Sequence, residues 1–305
     1  MLTAEEKRLC DKRAMELEND LNYQMMVGDI KETVANIRVT QEERIRESNR
    51  NHEKADGTAT KNASEAAELM KTSEKHKEFV NVMTKRLREF EDMWVEHLQS
   101  CIKKHPVYTR WLVNVSGIGP ALAGDLLAEY KVEKIYYIGQ LFQYAGIVGV
   151  TKRVKGQKSN YNVYLKKRLL GVLTGSFLKS RSPYSVIYYQ ARIKYLNRWM
   201  NSDEEGKKNL TLAHQHMMAN RKMIQQFVKD YYVAFRTIMD IPVIKSYEEE
   251  KLGMIHVGNN WTTPEIFLDM SKEEKKEYRE KTINKIAELK EELDNLIKLS
   301  GIKKE

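Results

Sequence analysis

The chain has 305 residues, a formal charge of +9, 31% charged and 41% apolar residues, and only 5 prolines and 15 glycines. That length sets a soft expectation of two or three domains, and the composition favours helices over a sandwich or barrel. The start "MLTAEEKRLC" has no apolar core behind a basic end and no run of about 18 apolar residues occurs, so secretion and membrane insertion are not expected and an intracellular protein is.

Thr3 followed by Glu6 is a capping-box pattern, and the residues after it, with Leu9, Leu17 and Leu21 on one side, predict an amphipathic helix. From Ser48 to Ser64 apolar residues vanish among Gly, Asn, Thr and Ser, which predicts a break. Val80, Met83, Leu87, Phe90 and Trp94 then recur at steps of three and four and share one face of a helix expected to reach Lys103. Such a stripe fits an intramolecular helix pair better than an oligomer seam, although coiled-coil geometry would allow a homo-oligomer through these N-terminal helices. Cys10 and Cys101 lie far apart without a CxxC or Cys/His spacing, so both read as ordinary thiols rather than a disulfide or zinc site.

Pro106 opens a short helix through Val113, "VSGIGPALA" (Val115 to Ala123) interrupts it, and Pro120 to Tyr130 resumes as a helix. A further short helix, Ile138 to Tyr144, ends in "AGIVG", followed by the basic loop "VTKRVKGQKSNYN". Leu165 to Lys179 reads as a helix in which Gly171 and Gly175 would let another backbone approach closely. Ser182 and Pro183 look like the cap and first position of a helix to Met200, "SDEEGKK" like a turn, and Leu210 to Met239 like a long helix. Ile241 to Thr263 lacks periodicity, and Ser271 to Leu299 reads as a charged terminal helix carrying Ile286, Leu289, Leu293 and Leu296.

Charge is distributed unevenly. From Lys134 to Ser202, 69 residues, there is no Asp or Glu, while the same window holds 13 Lys and Arg. A field of one sign points to a polyanion as partner. Within it, Lys152 to Arg168 carries seven cations in 17 positions, namely Lys152, Arg153, Lys155, Lys158, Lys166, Lys167 and Arg168, with Tyr161 and Tyr164 between them. Such a segment can meet several phosphates while a tyrosine packs on sugar or base. Further on, Tyr188, Tyr195 and Trp199 form a stripe that reads as core, and Arg192, Lys194 and Arg198 beside it would extend the basic surface.

In "VSGIGPALAGDLLAEY" the glycines let a turn lie against a flat surface, Ile118 pins the flanking helices, and Pro120 pre-sets the next helix. The unpaired amides at that helix start favour an anion. Val115, Gly117, Ile118, Gly119 and Ala123 match the helix-hairpin-helix signature, hydrophobic-x-Gly-hydrophobic-Gly with a small residue following. The bland alternative is a tight turn between two helices. His214 and His216 point to different faces of their helix, no phosphate-loop, zincin or nucleophile-elbow motif occurs, and the basic region offers no carboxylates for two-metal chemistry; neither metal nor cofactor is expected.

Trp111 to roughly Arg236 resembles the C-terminal domain of the insertion-sequence transposases related to the pilin-gene invertase, the class that uses a bridge RNA. The resemblance runs through "SGIGPALAGDLLAEY", "IGQLFQYAGIVG", "GQKSNYNVYLKKRLLGVL" and "HMMANRKMIQQFVKDYYVAFR". It implies a DNA-binding half. The N-terminal half departs from the family, since residues 1–105 read as helices where those transposases resemble an RNase H-like nuclease. The family's catalytic serine falls in an interval compressed here to "VTKRVKGQK", which leaves Ser159 as the only nearby serine.

The expectation is therefore an all-α protein with three parts: N-terminal helices at 1–105, a helix-hairpin-helix domain at 106–240 and a helical tail at 241–305. It would be a cytoplasmic, nucleoid-associated, non-catalytic DNA-binding protein of a mobile or virus-like element. Gly117, Ile118, Gly119, Pro120 and the Lys152 to Arg168 cations with Tyr161 would hold the backbone. The alternatives are a recombinase with a serine nucleophile and a helical scaffold that binds RNA.

Overall fold

The computed structural model describes residues 3–50, 74–148, 156–244, 267 and 269–300. Every regular element among them is helical and none is a strand, so the fold class is all-α. In chain order the helices are α1 (Ala4–Asn19), α2 (Leu21–Arg50), α3 (Glu74–Ile102), α4 (Pro106–Arg110), α5 (Pro120–Glu129), α6 (Ile138–Tyr144), α7 (Val163–Lys167), α8 (Thr174–Lys179), α9 (Tyr184–Met200), α10 (Glu204–Asn209), α11 (Leu212–Ile238) and α12 (Lys272–Leu299). A π-helical turn, Arg168–Leu173, joins α7 to α8.

Thr3 caps α1 as expected: its hydroxyl accepts the Glu6 amide at 3.1 Å and the Glu6 carboxylate accepts the Thr3 amide at 2.8 Å. The buried side chains of α1 are Cys10 and Leu17, whereas Leu9 and Leu21 are 49% and 71% exposed. For Leu21 the reason is Asp20, which ends α1 in extended backbone and whose carboxylate accepts the Asn22 and Tyr23 amides. Leu21 thus begins a new helix on a new axis. That helix runs through Ser48 to Arg50, so the expected break starts later, and its remainder lies outside the described residues.

α2 and α3 pack along each other, tied by Glu91, which accepts from Gln41 at 2.7 Å and from Arg44 at 2.9 Å. The stripe Val80, Met83, Leu87 and Trp94 faces inward, while Phe90 is 54% exposed. The helix that α3 packs along is α2 of the same chain.

The core is organised around α11, which buries 14 of its side chains, including Phe227, Tyr231, Tyr232 and Phe235. One continuous apolar cluster joins these to Leu17, Ile30, Val34, Leu98 and Ile102 from the N-terminal helices and to Trp111, Leu126, Leu141 and Phe177 from the middle of the chain. Packing therefore continues across the boundary drawn at residue 105. A second, smaller cluster seats Leu289, Leu293 and Ile297 of α12 against Ile193 and Leu196 of α9.

Local chemistry sets four of the helix starts. "SDEEGKK" is the helix α10, because Asp203 accepts the Gly206 amide and caps it. Thr211 caps α11 by accepting from His214, and Ser271 with Glu274 forms a capping box on α12. Ser182 does not cap α9; the position ahead of that helix is Pro183, and the Ser182 hydroxyl is buried with no hydrogen-bond partner among the described residues. Gly171 and Gly175 have open space beside them rather than a closely approaching backbone. The break in regularity falls instead on the π-helical turn.

Candidate nucleic-acid interface

The first glycine turn is anchored from inside. Gly117 adopts φ +96°, and an added Cβ would sit 2.7 Å from Ser180 Oγ and 3.1 Å from the Ser176 carbonyl oxygen. Ser176 Oγ donates to the Gly117 carbonyl at 2.5 Å. Phe177, also against this turn, stacks on Tyr184 at 4.9 Å and meets Phe227 edge-on at 5.3 Å. Ile118, half-buried, packs on the same cluster. Gly117 is thus the tight-turn glycine that only a residue without a side chain can supply.

Gly119 is different. It is exposed, nothing lies within 4 Å of where its Cβ would be, and it caps α5 without a side chain, with Pro120 following. The first backbone bond of α5 runs from the Ala123 amide to the Gly119 carbonyl at 3.0 Å, which leaves the Ala121 and Leu122 amides ahead of it without an intrahelical partner. The positive end of the helix dipole adds to the preference of this position for an anion.

The second glycine turn holds the basic segment. Gly146, at φ +63°, receives the ring of Tyr161, whose atoms would lie 2.5 Å from an added Cβ. The Asn162 amide donates to the Tyr144 carbonyl at 2.8 Å, and the Asn162 side chain caps α7 by accepting from Leu165. Lys166 Nζ stands 4.4 Å from the centre of the Tyr161 ring, a cation–π contact. Lys158 and Lys167 are exposed, and Ser159 is half-exposed in the loop ahead of α7. Lys152, Arg153 and Lys155 lie outside the described residues.

Arg168 does not belong to this surface. Its guanidinium pairs with Asp125 of α5, which also accepts the Tyr164 hydroxyl at 2.7 Å, and the two ionic side chains are 17% and 5% exposed. Burial pushes the Asp125 carboxyl up, against the pull of Arg168 and Tyr164. Arg38 of α2 lies 3.5 Å over the Tyr164 ring and reaches Glu129, which also accepts from Asn162 at 2.6 Å. The stretch without acids in sequence is therefore supplied with them in space: Asp125 and Glu129, one turn apart on α5, and Glu18, which pairs with Lys134. Arg192 is likewise buried, donating to the Leu212 carbonyl at 2.8 Å, so of the three cations on α9 only Lys194 and Arg198 are exposed.

The two glycine turns sit at opposite ends of the discontinuous helix from Val163 to Lys179. Ser176 touches one and Tyr161 the other, which at 1.5 Å per residue separates the contact points by about 20 Å. A feature that composition concealed lies beside the first turn. Lys272, Lys275, Lys276 and Arg279 of α12 line a cleft shared with Asn114, Ser116 and Gly117.

Among the described residues no group of three or more His, Cys, Asp or Glu could hold a metal, and no helix is long and apolar enough to cross a membrane. His216 lies between the Tyr188 hydroxyl at 2.8 Å and the Asn220 amide at 2.9 Å. The fold and site together define an all-α protein in which two glycine turns are clamped to the two ends of one basic helix. No protein-family model, curated protein or solved structure matches the chain.

Proposed function

We propose that this chain is a non-catalytic DNA-binding protein of a mobile or virus-like element, acting on nucleoid DNA, that grips the sugar-phosphate backbone with little regard for sequence. The observation that carries this reading is the start of α5, where an exposed Gly119 caps the helix without a side chain and leaves the Ala121 and Leu122 amides without an intrahelical partner. One phosphate is held there. Lys158 and Lys167, with Lys166 on the Tyr161 ring, hold others at the far end of the helix. A span of about 20 Å corresponds to about six phosphates along one strand. The resemblance of Trp111 to Arg236 to a transposase C-terminal domain supports the same assignment and suggests the element's origin.

The test is binding of a fluorescent duplex and a four-way junction as salt is raised. Backbone contacts release counterions, so log Kobs is expected to fall linearly with log salt, with a slope of about −0.9 per phosphate on a duplex. Affinity that hardly changes between low and moderate salt overturns the proposal, as does preference for structured RNA over either DNA.

A further inference from the structure

Between the first glycine turn and the beginning of α12 lies a cleft of about 600 Å³, within the span on the order of 300–1,000 Å³ usual for small-ligand sites. Its outer wall is basic. Lys272, Lys275, Lys276 and Arg279 recur at steps of three, one and three, so they share a face of α12, and the interleaved Glu273, Glu274, Glu277 and Glu280 take the other positions. Lys275 is already turned to an aromatic ring, its Nζ 5.0 Å from the centre of Phe267. Lys272, Lys276 and Arg279 are exposed, and among the described residues the ion pairs on this helix are made by Lys281 and Lys285.

The cleft is also aromatic. Phe267 and Tyr278 meet edge-on at 6.5 Å on the α12 side. The one carboxylate in the lining, Asp230, accepts from the Tyr184 hydroxyl at 2.9 Å and from Gln226 at 2.8 Å, so its charge is engaged by the protein. Three cations alone would suit any anion. Cations joined to a pair of rings at the edge of one cleft select a ligand that carries both a phosphate and a planar ring.

We infer that this cleft binds a nucleotide, its phosphate on Lys272, Lys276 and Arg279 and its base against Phe267 and Tyr278. The ligand is either a free nucleotide or the unpaired end of a strand. The site does not rest on the phosphate grip at α5, because its side chains come from α12 and Phe267.

Calorimetric titration of the intact protein with 5′-AMP, adenosine and inorganic phosphate tests it. AMP is expected to saturate one site at least tenfold more tightly than either fragment, and the double change Lys272→Gln, Lys276→Gln, at exposed positions, is expected to weaken AMP at least tenfold. Tyr278→Leu is expected to bring AMP down towards inorganic phosphate. A short oligoadenylate that displaces AMP better with a 5′-phosphate than with a 5′-hydroxyl assigns the site to strand ends; displacement by neither assigns it to free nucleotides, and both results support the inference. Phosphate binding as tightly as AMP, or unchanged AMP affinity in the lysine double variant, would each overturn it.

Discussion

Ser176 donates its hydroxyl to the Gly117 carbonyl across 59 positions of sequence, and this bond fastens the first glycine turn to the C-terminal half of a helix whose other end holds the second turn. Two glycines one residue apart therefore have separate tasks. Gly117 lets the turn enter the protein, and Gly119 leaves the start of α5 open.

Gly117→Ala is expected to destabilise the fold by about 1–3 kcal/mol, because a left-handed backbone is strained for a side-chain-bearing residue and the new methyl meets Ser180 and the Ser176 carbonyl. Ser176→Ala should cost about 1 kcal/mol for the lost bond. Urea denaturation followed by circular dichroism measures both; a Gly117→Ala variant as stable as the parent would show that the turn is not clamped.

Neighbouring cations are expected to behave oppositely. Arg168→Gln leaves the buried Asp125 without its ion-pair partner and should cost about 3 kcal/mol of stability. Lys167→Gln, at an exposed position, should shift stability by less than about 0.5 kcal/mol while reducing the salt slope of DNA binding by about one. Denaturation and anisotropy titrations on the two variants check this, and a fully stable Arg168→Gln would contradict the assignment of that arginine to the interior.

The protein should lose stability in mild acid through His105. This residue is 1% exposed, its Nδ1 accepts the Val107 amide at 3.2 Å, and burial lowers its pKa from 6.5 to about 4. The unfolded chain binds the proton first, so the contribution is complete above pH 6.5 and declines as pH falls from 6.5 towards 4, by at most about 3 kcal/mol. His105→Asn keeps an N-cap acceptor; its stability between those pH values should vary less than that of the parent.

The helices and the glycine turns were legible in the sequence because caps, prolines and apolar spacing are local signals. What each glycine does was not, since it depends on Phe177 and Ser180, about sixty positions away. Arg168 read as surface for the same reason: its partner, Asp125, is 43 positions upstream and just outside the window without acids. Arg192 read as part of a basic face but is enclosed against α11 by its bond to Leu212. The cationic face of α12 was present as spacing in "KEEKKEYR", yet the interleaved glutamates cancel it in any count of charge.

Gly119→Asp tests most directly whether a phosphate is held at the open start of α5. An aspartate there can accept the Ala121 or Leu122 amide, a favourable N-cap, in a position with open space for its Cβ, while opposing a phosphate by charge. Duplex binding by the parent and by Gly119→Asp should be compared at equal salt, with thermal unfolding of both measured alongside. The expected result is an unchanged or higher melting temperature together with at least tenfold weaker binding and a shallower salt slope. A stable Gly119→Asp variant that binds DNA as tightly as the parent would contradict the account.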